Sequence, residues 1–208
     1  MHGGGNITLK NKGFYNKIRK RKKYNRRTNS LSAGVSLKKG YIHVYTGPGK
    51  GKTTAALGLG LRAAGAGLKV HMIQFMKGRR YSELDAVENL KNFTISQFGR
   101  DEFVNKEKPE QVDIDLAQKG FAHANNVIKK EEYGLVILDE INVAVDYNLI
   151  DIHDVLKLIE EKPEKLELIL TGRYAHPELS RHADYVTEML EIKHPYQQGV
   201  EARKGIDF

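Results

Sequence analysis

The feature that most constrains this chain is the run Thr46-Gly47-Pro48-Gly49-Lys50-Gly51-Lys52-Thr53-Thr54. On its amino side, residues 41–45 (YIHVY) form a short apolar run of aromatic and β-branched residues that reads as a strand. On its carboxyl side, residues 53–66 read as a helix, with Leu57, Leu61 and Ala64 on the apolar face and Gly67 as the C-terminal cap. A glycine-rich turn between a strand and a helix is the setting in which such a sequence binds phosphate. The glycines let backbone N–H groups point inward around phosphate oxygens. The helix N-terminus adds free donors and a favourable dipole. Lys52 is placed to reach the terminal phosphates, and Thr53 to ligand Mg²⁺. The strict G-x-x-x-x-G-K-[ST] pattern has Gly where this chain has Thr46, so the match is near rather than complete. Lys50 is an extra cation, either a second phosphate contact or a solvated side chain.

Strands and helices alternate along the rest of the body. Residues 68–75, 92–98, 135–140, 166–173 and 184–189 read as strands. Residues 79–89, 109–131, 151–163 and 176–182 read as helices. Pro109 is expected at the first helical position of the long helix, with Val112, Leu116, Ala124, Val127 and Ile128 facing inward. The near-continuous apolar run LVIL before Asp139 suits a strand buried on both faces in a parallel sheet. The expected class is α/β: a P-loop NTPase-like, three-layer domain with a mainly parallel sheet.

Further candidates follow from strand ends. Asp139 and Glu140 close the LVIL strand, where a carboxylate serves a metal or its water. Adjacent side chains on a strand point apart, so one is expected to hold the metal and the other to act through water or after a turn. Thr171-Gly172-Arg173 ends the next strand, and Arg173 can grip polyphosphate with its planar fork. Gln74 and Lys77 follow strand 68–75 and are expected to face the same crevice; Arg62, on the first helix, is a candidate ligand or dimer contact. The eight histidines are scattered without HxxxH or HExxH spacing, and His43 and His71 read as packing residues within strands. With no cysteine, the chain has no disulfide framework, no Cys-ligated metal and no cysteine nucleophile.

Charge divides the chain in two. Residues 1–40 carry 12 of the 34 Lys and Arg and none of the 26 Asp and Glu, so residues 41–208 carry 34 − 12 = 22 bases against 26 acids. The division predicts a basic, partly disordered N-terminal arm and linker over 1–40 and a catalytic domain over 41–208. Phe14, Tyr15 and Ile18 can share one helical face within the arm. No run of 18 apolar residues exists and no apolar stretch follows the basic start, so neither a membrane span nor a secretory signal is read, and a cytoplasmic location is expected. The arm admits a nucleic-acid-binding reading through its bases and Tyr15 and Tyr24. The body has no comparable basic run after residue 80, and the loop gives the charge a more specific use, so nucleic acid is not the expected partner. A phosphoryl-transferring ATPase or kinase is the other alternative.

The segments TGPGKGKTTAALGLGLRAAGAG, VHMIQFMKG, LVILDE, LILTGR, ADYVTEM and KHPYQQGVEARKGIDF together resemble the ATP:corrinoid adenosyltransferases of the cobalamin pathway. The resemblance spans nearly all of 41–208. It implies transfer of the 5′-deoxyadenosyl group of ATP to Co(I) of a reduced corrinoid, cobalamin or cobyrinic acid a,c-diamide, with tripolyphosphate as leaving group. It also implies Mg²⁺, a homodimer, a reductase that docks to supply Co(I), and an arm that folds over the corrinoid. Within it, Lys52 and Arg173 are the expected catalytic residues. Thr46, Gly47, Pro48, Gly49, Lys50, Gly51, Thr53, Thr54, Arg62, Gln74 and Lys77 are expected to bind substrate, and Thr53, Asp139 and Glu140 the metal. Relatives of the enteric type place Phe-x-Trp after a Gly beyond the third strand, to clear the lower face of the corrinoid. Here the segment is Phe98-Gly99-Arg100-Asp101-Glu102-Phe103 and the chain has no Trp, which leaves Phe98 and Phe103 as the candidates for that face.

Overall fold

A computed structural model describes residues 35–208. The arm, with Phe14, Tyr15 and Ile18, falls almost wholly outside the described residues. The strands are β1 (Ile42–Thr46), β2 (Val70–Phe75), β3 (Phe93–Phe98), β4 (Leu135–Asp139), β5 (Glu167–Thr171) and β6 (Tyr185–Glu188). The α-helices are α1 (Lys52–Gly65), α2 (Ser82–Val87), α3 (Gln111–Lys129), α4 (Ile141–Asp146), α5 (Ile152–Glu160) and α6 (Pro177–His182), followed by a 3₁₀ turn at Pro195–Gln198. The strands form one sheet in the order β3-β2-β4-β5-β1-β6, and every pairing is parallel.

The sheet has an apolar core on each face. On one side Ala117, Phe121, Ala124 and Val127 of α3, Ile141 of α4 and Val155 and Leu158 of α5 pack on Ile73, Phe75, Val136 and Leu138. On the other, Ala56 and Ala63 of α1 and Val87 pack on Val70, Met72, Ile137 and Ile169. Helices thus cover both faces, giving three layers. β2 and β4 are buried along their whole length because each lies inside the sheet and under both helical layers. Each large apolar side chain buried here contributes roughly 1.5–3 kcal/mol. At the edge, β6 is exposed throughout. Among the described residues no helix is long and apolar enough to cross a membrane.

Two helical faces differ from the expected ones. α1 buries Lys52, Ala56, Gly60 and Ala63 on the sheet, Leu57 and Ala64 pack half-buried at the margin of that core, and Leu61, 55% exposed, falls outside it. The helix lies so close to the sheet that a Cβ at Gly60 would stand 2.6 Å from the Phe93 ring, and only small residues fit there. On α3, Val112 is exposed and Asp113 buried. Asp113 accepts from the Glu110 N–H and, through both oxygens, from Arg100 at 2.8 and 2.9 Å, which closes the helix start. Pro109 therefore precedes the cap residue Glu110 rather than opening the helix. Gly67 does follow the end of α1 with positive φ. The short helix α4 was not read from sequence.

Candidate active site

Because every strand runs the same way, their carboxyl ends and the loops that follow gather along one edge of the sheet. A cleft of about 950 Å³ opens there, lined by Gly49–Thr54, by Lys77 after β2, by Glu140 after β4, by Arg173 after β5, and by residues 193–196 and much of 200–208.

The glycine loop is fixed from behind by the chain that follows β6. A Cβ at Gly47 or Gly49 would stand 2.5 or 2.6 Å from the main-chain oxygens of Met189 or of Met189 and Leu190, so glycine is required at both. The Gly49 N–H donates to Met189 O at 2.7 Å and is directed away from the cleft. Thr46, Gly47 and Pro48 do not line the cleft; the Thr46 hydroxyl instead accepts from the Ala175 N–H at 3.1 Å, which ties β1 to the loop after β5. Those three expected ligands shape the loop. The amides of Lys52, Thr53 and Thr54 open α1 and have no partner within the helix, since the first intrahelical bond is Ala55 N–H to Gly51 O.

Lys52 is buried, and its ammonium donates to Gly47 O at 2.8 Å and Gly49 O at 2.7 Å. Burial pushes its pKa below the ordinary lysine range, and the charge of Arg173 adds to that. Lys50 leans the other way, out to Ile206 O at 2.8 Å and to the Asp207 carboxylate.

Asp139 is fully buried at the end of β4 and is surrounded by donors. Thr53 Oγ1 donates to its Oδ1 at 2.9 Å and Thr171 Oγ1 at 2.7 Å. Lys77 Nζ donates to Oδ2 at 2.8 Å and Gln74 Nε2 at 3.2 Å. β5 lies between β1 and β4, and the Thr171 hydroxyl at its end joins the two sides of the site. Burial alone would raise the Asp139 pKa, but the Lys77 charge and these donors outweigh it and hold the group below the usual carboxylate range. For Lys77 the balance is similar: burial lowers it, Asp139 outweighs burial, and the net shift is upward.

The chain turns sharply at Glu140, which adopts φ 64° ahead of α4, and this brings its side chain into the cleft. The carboxyl is raised by burial and then by the neighbouring charge of Asp139. The two adjacent carboxylates thus have different surroundings, one locked among donors and one facing the cavity.

Other expected residues are not brought to the cleft. Gln74 is buried, bonded to Asp139 and Glu83, and accepts from Gln97; it supports the carboxylate behind the site. Arg62 stands exposed on α1, ten residues beyond Lys52 and so about 15 Å along the helix. Phe98 packs beneath α3 against His123 and Gly120 and does not line the cavity, because it closes β3 where α3 crosses it. Phe103 does line the cleft and is 93% exposed. Three contributors have no role readable from the local sequence: Thr171, Asn142, whose amide donates to Gly172 O and Tyr45 O, and the segment after residue 193, which carries the family resemblance without a pattern that places it in the cleft.

A glycine loop opening α1, with its threonine bonded to a buried carboxylate two strands across the sheet, defines a P-loop nucleotide-binding α/β domain. The family model described as ATP:corrinoid adenosyltransferase BtuR/CobO/CobP matches residues 38–208, and the chain belongs to that family. A corrinoid adenosyltransferase of Sinorhizobium sp is 36% identical over 183 residues, covering 86% of this chain and 85% of its own. One from Pseudomonas aeruginosa is 34% identical, covering 82% and 84%, and one from Escherichia coli K12 is 32% identical, covering 82% and 86%. The chain is accordingly an enzyme that transfers the adenosyl group of ATP to the cobalt of a corrinoid.

Proposed function

We propose that ATP binds with its triphosphate on the glycine loop and its C5′ turned toward the apolar side chains of the same cleft, where Co(I) attacks. The electron pair of Co(I) forms the cobalt–carbon bond. The bond from C5′ to the α-phosphate oxygen breaks, and tripolyphosphate leaves with that electron pair. Co(I) is itself the nucleophile, so no protein base is needed. What the protein supplies is placement and exclusion of water, together with fixed positive charge for the leaving group. Lys52 and Arg173 are the residues for that charge. Lys52 exchanges its two loop carbonyls for phosphate oxygens. The observation that carries this reading is the meeting of Lys52, Thr53 and Arg173 with Met76, Val104, Val143 and Tyr147 in one cavity.

Mg²⁺ fits the oxygen donors found here. Among the described residues no cluster of three or more His, Asp or Glu forms a metal cage, and Mg²⁺ is commonly held by one or two carboxylates plus substrate phosphates. Thr53 and Glu140 would hold the ion, with Asp139 behind Thr53; when bound, it neutralises charge on the triphosphate. A homodimer is part of the proposal, supported by the exposed edge strand β6 with Tyr185 and Val186 about half exposed. So is docking of a reductase, since the proposed attack needs cobalt as Co(I).

The test is anaerobic incubation with Mg-ATP and chemically reduced cob(I)alamin. A light-sensitive adenosyl–cobalt product with equimolar tripolyphosphate is expected. ADP and phosphate with no adenosylated corrinoid would reject the proposal.

A further inference from the structure

We propose that Asp207 is a positioning residue of the triphosphate site: it holds Lys50 off the glycine loop, and a bound polyphosphate takes that lysine from it. The inference rests on the reading of the loop as the triphosphate site.

The two loop lysines are held by different parts of the chain. Lys52 is held by the loop itself. Lys50 is held by a segment more than 150 residues further on, through Ile206 O and the Asp207 carboxylate. The segment is organised for this. The other Asp207 oxygen accepts from the Arg203 N–H at 2.9 Å and from Arg203 Nε at 3.2 Å, which fixes the carboxylate facing Lys50. A second tether lies across the cleft, where the Ser82 hydroxyl donates to the main-chain oxygen of Phe208 at 3.0 Å. Residues 205–208 line the cavity beside the loop. The Lys50 bond holds the Asp207 carboxyl well below the usual carboxylate range, so it stays charged wherever the enzyme works.

A carboxylate therefore rests on a loop cation in the cavity an anionic substrate must enter. The Lys50 side chain is 45% exposed, and half-exposed pairs of this kind are weak. A triphosphate carries several negative charges and displaces a single carboxylate. After transfer, Asp207 recaptures Lys50 and so weakens the hold on tripolyphosphate as it leaves. Asp207 thus lowers affinity for ground-state anion and speeds release.

Calorimetric titration with inorganic tripolyphosphate and Mg²⁺ tests this in the full chain, comparing wild type with Asp207→Asn, Lys50→Gln and the double variant. Asp207→Asn keeps the shape and removes the charge. It should tighten binding about twofold to fivefold, the size of a weak surface pair, and in turnover it should lower KM for ATP and kcat together. In the Lys50→Gln background the same change should leave affinity unaltered. Equal or weaker binding by Asp207→Asn, or an equal gain with Lys50 absent, overturns the inference; a thermal melt of each variant confirms that the comparison is between folded proteins. If Lys52→Ala binds tripolyphosphate as wild type does, the fault lies instead with the loop as the anion site.

Discussion

Lys52 and Asp139 are both buried polar residues of one site, yet their removal should read differently. Lys52 answers to two loop carbonyls beside an open cavity, and its own burial already works against its charge. Lys52→Ala should cost at least tenfold in tripolyphosphate affinity while shifting stability by only about 1 kcal/mol, or about 2–4 °C in a thermal melt. Asp139 neutralises the nearly enclosed Lys77 and satisfies two hydroxyls. Asp139→Ala should cost about 3–5 kcal/mol, because Lys77 is left buried without its partner, and should lower the melting temperature by about 6–20 °C. Equal melting losses in the two variants would contradict this division. Lys52, Thr53 and Asp139 were legible in the chain because phosphate chemistry demands those residue types at those strand and helix ends. Gln74 and Phe98 were misplaced for one reason: a strand end has two faces, and which one meets the cavity depends on the helix packed against the other.

Elements were legible where burial is two-sided. β2 and β4 are buried along their length because both faces are covered, the LVIL run of β4 is apolar for that reason, and no helical period fits runs so short. Helix faces were harder to read, since the phase of α1 is set by the loop that starts it and its contact with the sheet is made by small residues. Where α3 crosses β2 and β3, a polar cluster sits in the packing. His71 Nδ1 lies 2.7 Å from the Thr94 hydroxyl, and its Nε2 lies 3.2 Å from His123 Nε2. Burial, with the neighbouring His123, depresses the His71 pKa to about 4. The unfolded chain binds a proton at this residue below about pH 6.5 and the folded chain does not. The stability contributed by the neutral ring is therefore complete above about pH 6.5 and is lost as pH falls toward 4, by up to about 3 kcal/mol. Denaturant melts across this window should show that decline in wild type and a flatter profile in His71→Gln; parallel profiles would remove His71 as the cause.

At the scale of the whole molecule, the described residues, 35–208, hold a complete six-stranded sheet, an apolar core on each of its faces and the cleft residues named above. A chain starting at residue 35 should therefore melt within about 3 °C of the full chain and keep its affinity for tripolyphosphate, and we propose 41–208 as the catalytic domain on this ground. Adenosylation of the corrinoid is expected to fall sharply in the same truncation, since the arm's proposed place is over the corrinoid; an unchanged corrinoid rate would show that the arm has another purpose. The return of residues 200–208 to the loop was not legible in the sequence, because a contact across that separation leaves no local pattern. The loop's backing by Met189 and Leu190 has a thermodynamic consequence as well. A loose loop would have to be ordered by its ligand, at about 1–2 kcal/mol for each residue fixed. Here the fold has already done the ordering, and an incoming anion has only to swing lysine side chains, at about 0.5–1.5 kcal/mol each. Most of the attraction between anion and loop is thus left to appear as affinity.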